Sequence, residues 1–241
     1  MRFLKWLGII LVILIIVYFL GPRPASPKYT MDLPSPPASA AALEKYIGDH
    51  EKQHKLKPDN EARIIWFNDS LKTKTDYAVV YLHGFSASQE EGDPVHKDFA
   101  KQFGCNLYLS RLEDHGVDTS ETLLTLTADR LWNSAKEAYA IGKQLGKKVI
   151  LLSTSTGGTL ALKLAAEYPD ISALILLSPN IAINDPNAWL LNNHWGLQIA
   201  RMVKGKYNVS EDTSALYAQY WNTKYRMEAA VQLEELVETT M

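Results

Sequence analysis

At 241 residues, 46% of them hydrophobic, the chain is long enough to bury a full core as one domain. A formal net charge of −2, with no Lys/Arg-rich run, gives no basis for a nucleic-acid surface. The single cysteine, Cys105, excludes an intrachain disulfide and a cysteine-based metal site, and its place just before the apolar residues 106–109 marks it as a buried structural thiol.

Residues 6–20 carry no charge and are dominated by Leu, Ile and Val, behind Arg2 and Lys5. At 1.5 Å per residue they cover roughly 22 Å, and with Phe3, Leu4 and a snorkelling Lys5 the run becomes long enough to cross a hydrocarbon core of about 30 Å. No small-x-small cleavage site follows closely: Gly21-Pro22-Arg23-Pro24 comes next, and Ala38-Ser39-Ala40 lies too far away. The expectation is an uncleaved, single-pass signal-anchor over residues 1–20. The positive-inside bias then puts the N-terminus in the cytoplasm and the globular part outside it. Residues 21–42, with Pro22, Pro24, Pro27, Pro34, Pro36 and Pro37, read as an extended, semi-rigid linker that holds the rest off the bilayer.

A short polar helix is predicted over residues 40–53 and a first strand over 62–66. Residues 77–82 are a second strand, followed at once by His83-Gly84-Phe85-Ser86. A third, 106–109, leads into Arg111-Leu112-Glu113-Asp114-His115-Gly116. Leu124, Ala128, Leu131, Ala135, Ala138, Gly142 and Leu145 then recur every three or four residues as one helical stripe. Asp118 and Glu121 offer a capping-box variant at its N-terminus, and Lys147 and Lys148 suit its C-terminus. A long helix feeding the next strand is the crossover that a parallel sheet requires.

That next strand, residues 149–152, is an unbroken apolar run, as expected of a strand covered on both faces. Ser153-Thr154-Ser155-Thr156-Gly157 follows, then a helix over 157–166 that stops before Pro169. A serine at such a strand-to-helix turn projects its hydroxyl above the sheet, where the helix N-terminus favours developing negative charge. Ser155 is therefore the candidate nucleophile. Acyl transfer also needs two backbone N–H donors from two different turns. Thr156, just after the nucleophile, is one; Phe85 is the other, its amide left unobstructed by Gly84. His83, Gly84 and Gly157 support these turns. The last strand is predicted over 173–177. Residues 180–241 read as a helical cap whose Trp189, Trp195, Tyr207, Tyr217, Tyr220, Trp221 and Tyr225 pack it, line an apolar pocket above Ser155, or meet a lipid interface.

In His83-Gly84-Phe85, residues 111–116 and Ser153-Thr154-Ser155-Thr156-Gly157, the chain resembles the α/β-hydrolase superfamily, on its monoacylglycerol lipase and carboxylesterase branch, over about residues 62–180. The resemblance implies a mostly parallel α/β sheet with helices on both faces and hydrolysis of a carboxylic ester through an acyl-enzyme, with no cofactor and no metal. Ser153 replaces the first glycine of the usual elbow. The triad of this fold runs Ser, then Asp or Glu, then His, the last two after later strands. Downstream of Ser155 there is one further strand and one histidine, His194. Two more strand–helix units would take roughly 60 residues. The expectation is thus a fold truncated before its last strands: residues 43–180 as the N-terminal part of the hydrolase domain and 181–241 as the cap. The triad acid and base would be missing, and the 241 residues inactive by themselves. His83 and His115 are read as shaping loops, and His50, His54 and His96 as surface residues. The functional expectation is a membrane-anchored serine hydrolase with a small-molecule or lipid ester as substrate. The alternatives are an acyltransferase or thioesterase on the same site, and a non-catalytic, membrane-tethered interaction protein.

Overall fold

In the computed structural model, which describes residues 2–212 and 214–241, five strands form one sheet: β1 (Arg63–Ile65), β2 (Thr75–Leu82), β3 (Asn106–Leu109), β4 (Gly146–Thr154) and β5 (Ala173–Leu177). Their order is β1-β3-β2-β4-β5, with β1 antiparallel to β3 and every other pairing parallel. The unbroken apolar run of β2 reflects burial on both faces: Ala78, Val80 and Leu82 enter one core, Val79 and Tyr81 the other. Helices α2 (Ala40–Glu51), α4 (Ala128–Leu145), α5 (Thr156–Glu167) and α8 (Met227–Thr240) supply the larger core, and α3 (Val95–Gln102) covers the smaller one. Helix α1 (Arg2–Phe19) buries none of its residues. Helix α6 (Gly196–Lys204), the hairpin β6–β7 (Tyr207–Val209, Lys224–Arg226) and α7 (Ala215–Tyr220) complete the chain.

The register brings three strand ends to one level, for Leu82 lies opposite Ser153 and Ser153 opposite Leu176. The turns that leave β2, β4 and β5 therefore meet above the same edge of the sheet. Helix α4 reaches that edge by the direct route, ending at Leu145 where β4 begins at Gly146.

Four expectations are corrected. The start of α4 is capped by Thr127, whose Oγ1 accepts from Arg130 N at 3.2 Å, not by Asp118 and Glu121. Glu121 is drawn away because its carboxylate takes Arg226, Tyr207 and Lys206. The tail is not a purely helical cap: it contains the β6–β7 hairpin, and α8 sinks Ala229 and Leu236 into the main core beside α4 and α5. His96 is fully buried, not a surface residue, because its ring packs edge-on to Tyr81 and its Nε2 bonds Gln89 O at 2.8 Å. Finally, the proline-rich segment does not stand free. Lys28 N and Tyr29 N donate to Asp129 Oδ1, Trp132 Nε1 and Lys136 Nζ donate to Thr30 O, and Tyr168 OH donates to Met31 O. An extended chain without internal hydrogen bonds has its backbone groups free for such partners, and α4 provides them.

The 18 residues of α1 have a mean hydropathy of 2.3, enough in length and composition to cross a membrane, a test that a signal sequence also passes. Among the described residues β5 pairs on one side only, with β4.

Candidate active site

Ser155 occupies the junction between β4 and α5 at φ 49°, ψ −116°. This is a conformation that side chains other than glycine rarely adopt, and holding one there costs on the order of 1–3 kcal/mol. The strain persists because both sides of the residue are held: Ser155 N donates to Leu177 O at 3.0 Å, while its carbonyl accepts from Gly158 N and Asn180 N. Gly157 permits the helix to start so close to β2, since a Cβ there would lie 2.0 Å from Leu82 O. Ser153, inside the sheet, is fully buried with its hydroxyl unpartnered, and Thr156 Oγ1 is likewise unpartnered.

The turn after β2 stands beside this elbow. Gly84 and Ala87 close it through an Ala87 N to Gly84 O bond, and Ser86, not Gly84, takes the positive φ of 61°. Gly84 is needed for space instead: a Cβ there would come within 2.7 Å of Glu91 Oε1. The Glu91 carboxylate accepts from Gly84 N at 2.6 Å, and burial pushes its pKa above the ordinary carboxylate range. Phe85 N, outside any regular element, donates to nothing among the described residues. Thr156 N, at the first position of α5, has no acceptor within the helix. Two free amides thus flank the Ser155 turn.

Two histidines hold the Phe85 turn against the loop after β3. His83 Nε2 accepts from Leu112 N at 3.0 Å while its Nδ1 bonds Gly84 O at 2.8 Å. His115 Nε2 accepts from Ser86 N at 3.0 Å while its Nδ1 bonds Glu113 O at 2.8 Å. Each ring is therefore neutral, with Nδ1 protonated and Nε2 the acceptor. Burial depresses both, His83 well below its usual value and His115 to about 4. The rings lie 5.0 Å apart, edge to face. Behind them the ion pair of Arg111 and Glu51, at 2.7 Å and almost fully buried, fixes the same loop to α2. Neither histidine has a nitrogen left to take a proton from Ser155. Of the other four, His96 bonds Gln89 O and His194 bonds Gly21 O, while His50 and His54 face each other on α2 and the turn after it. None of the six histidines hydrogen-bonds to Ser155.

The cap closes over the Phe85 turn. Asn222 N donates to Ser86 O at 2.7 Å, and the Tyr225 ring meets Phe85 edge-on at 5.1 Å. Tyr225 also walls a cavity of about 370 Å³ between α6 and α8, lined chiefly by apolar side chains such as Ile183, Leu190, Ile199, Val203 and Leu233. Sequence reasoning missed Glu91 and the paired roles of His83 and His115. Ser88 and Glu91 have the spacing of a capping box, but the carboxylate reaches back to Gly84 instead. Among the described residues no group of three or more His, Cys, Asp or Glu is arranged to hold a metal.

A mostly parallel sheet entered through a long crossover helix, with a strained serine at a strand-to-helix elbow, defines an α/β-hydrolase. Residues 73–235 match the family described as serine aminopeptidase, S33, and the chain belongs to that family. It is 32% identical over 108 residues to a thermostable monoacylglycerol lipase of Bacillus sp. (strain H-257), an alignment covering 45% of this chain and 42% of that protein. The chain thus matches less than half the length of this curated relative. Among solved structures, a metagenome-derived lipolytic enzyme superposes with a TM-score of 0.60 at 14% identity, covering 77% of this chain and 71% of that one. A monoacylglycerol lipase of Paleococcus ferrophilus gives 0.50 at 13%, covering 74% and 70%. At such identities these likenesses speak for the fold.

Proposed function

We propose that this protein hydrolyses a carboxylic ester through an acyl-enzyme on Ser155, with the amides of Phe85 and Thr156 as oxyanion donors. The observation that carries the reading is Ser155 itself, strained at the elbow beside two amides without acceptors. Backbone strain held in place from both sides is a mark of functional sites, and unpaired amides aimed at a developing oxyanion lower the barrier to acyl transfer. The apolar cavity walled by Tyr225, whose ring packs against Phe85, suits an acyl chain, in keeping with the lipase among the relatives. The reaction also calls for an imidazole at Ser155 Oγ and a carboxylate behind it. None of the six histidines hydrogen-bonds to Ser155 among the described residues, so this reading leaves the base and its carboxylate unassigned. Residues 1–20 are read as a signal-anchor that leaves the body outside the cytoplasm.

The experiment is to treat the native protein, in its own membranes, with a fluorophosphonate and to measure its intact mass. A polypeptide heavier than 27.1 kDa that is phosphonylated on the Ser155 peptide supports the proposal. Labelling on another serine, or none, refutes it. The absence of a histidine bonded to Ser155 among the described residues favours one second reading, a membrane-tethered interaction protein without catalysis. An unlabelled native protein of 27.1 kDa, with Ser155→Ala leaving its cellular role intact, would establish that reading instead.

A further inference from the structure

Helix α1 is not an isolated peg, for the cap grips its end. Trp195 Nε1 donates to Val17 O at 3.0 Å, Trp195 N donates to Pro22 O at 2.9 Å, and His194 Nδ1 bonds Gly21 O at 2.7 Å. Gly21 is required there, since a Cβ would lie 2.1 Å from the Trp195 ring nitrogen. The His194 ring rests against Tyr18 and Phe19, with centroids 5.3 and 5.6 Å away. Beyond this latch, a groove of about 650 Å³ runs between the two helices, and its exposed wall is almost wholly apolar. Leu14, Val17 and Tyr18 form one side of it, and Trp189, Ile199 and Met202 the other.

Helix α6 and the turn before it also present an apolar surface to solvent: Met202 is 85% exposed and Val203 76% on the helix, and Trp189 57% in the turn. Large exposed side chains clustered on one face, unlike single exposed ones, mark a surface with a partner. The level of the groove says which partner. Leu14 lies six residues before Leu20, about 9 Å inward from the end of the apolar run at 1.5 Å per residue. Side chains that share a groove with Leu14 lie at a similar level. An amphipathic helix resting in a membrane interface sinks its apolar face by about 5–10 Å, which is the same depth. Lys204, exposed at the end of α6, has a stem long enough to carry its ammonium back to the headgroups.

We propose that α6 lies in the acyl-chain boundary of the bilayer beside α1, with lipid chains covering Trp189, Ile199, Met202 and Val203 and filling the groove. Ile199 and Val203 also border the cavity walled by Tyr225, so an ester would enter that cavity from the lipid and not from bulk water. The inference rests on α1 as a membrane anchor and deepens the hydrolase reading by naming its substrate class, esters dissolved in a membrane.

The test uses the full chain in phosphatidylcholine vesicles, in a Cys105→Ala background, with one environment-sensitive fluorophore per variant. It is attached at Met202→Cys or Trp189→Cys, with Leu14→Cys as the lipid reference and Lys101→Cys, on the far face of the sheet, as the aqueous one. Doxyl-labelled lipids should quench positions 202 and 189 several-fold more than 101 and about as strongly as 14. Quenching at 14 alone would overturn the placement of α6 while leaving α1 in the membrane. Quenching nowhere would overturn both. Because no turnover is measured, the same result is expected with Ser155→Ala, so failure of the hydrolase reading leaves a separate trace.

Discussion

Replacing Ser155 with glycine should make the protein more stable while removing the proposed nucleophile. The residue sits at φ 49°, ψ −116°, where a Cβ costs on the order of 1–3 kcal/mol and glycine costs nothing. Against this gain stands the greater freedom of glycine in the unfolded chain, worth roughly 0.5–1 kcal/mol. The hydroxyl makes no hydrogen bond whose loss must be added. The difference is a net stabilisation of about 1 kcal/mol, or about 2–4 °C in Tm for a chain of this size. Ser155→Ala keeps the Cβ and hence the strain, so its Tm should stay within about 1 °C of the parent. Thermal melts of the three proteins in one detergent, followed by tryptophan fluorescence, decide the matter. A glycine variant less stable than both others would show that the elbow conformation is not strained, and the argument for Ser155 would lose its foundation.

Three other outcomes are expected. The two buried histidines are neutral in the folded protein with depressed pKa values, so below about pH 6.5 the unfolded chain binds protons that the folded one does not. Their stabilisation is complete above that pH and falls by up to about 1.4 kcal/mol per unit for each ring as the pH drops, down to about 4 for His115; urea midpoints that stay flat from pH 6.5 to 5 would contradict this. Glu91→Ala should cost about 1–3 kcal/mol by leaving Gly84 N–H without its acceptor, whereas Glu91→Gln keeps an oxygen in place and should cost clearly less in the same urea titration. Arg111→Met removes the partner of the buried Glu51 carboxylate and should destabilise by about 3–5 kcal/mol; a smaller loss, with Glu51→Gln in the Arg111→Met background restoring nothing, would mean that water already reaches the pair.

The parts of the fold that were legible beforehand are those written in local pattern. The apolar run at 77–82 announced a strand and that at 149–152 a strand covered on both faces, and the stripe from Leu124 to Leu145 announced the crossover, though the helix itself starts only at Ala128. The elbow was legible because its backbone follows from a short run of residue types, small ones around Ser155. What stayed hidden depends on partners far apart in the chain. The bonds from Leu112 N to His83 and from Ser86 N to His115 each span 29 residues, and nothing in either motif shows that the two imidazoles will face each other. The Arg111–Glu51 pair spans 60, and it joins a helix that reads as merely polar to a turn that reads as merely exposed. Proline content marked residues 21–42 as extended but carried no sign of where that extended chain would lie. Helix α8 was absorbed into the cap because aromatic residues before it dominated the composition, although its own Ala229 and Leu236 belong under the sheet.

The docking of the proline-rich segment has a mechanical side. Lys28, Tyr29, Thr30 and Met31 are fastened across α4 and α5 by bonds to Asp129, Trp132, Lys136 and Tyr168. A pull on the N-terminal helix is met first by the Trp195 and His194 bonds to residues 17–22, and then by these bonds together, as a seam. Since α4 passes into β4 without a single intervening residue, and β4 ends one residue before Ser155, a load that slides this helix along its axis would arrive undamped at the elbow. Because Asp129, Trp132 and Lys136 belong to α4 itself, the seam ties the N-terminal segment mechanically to the helix that leads to the turn holding a serine in an unfavourable conformation.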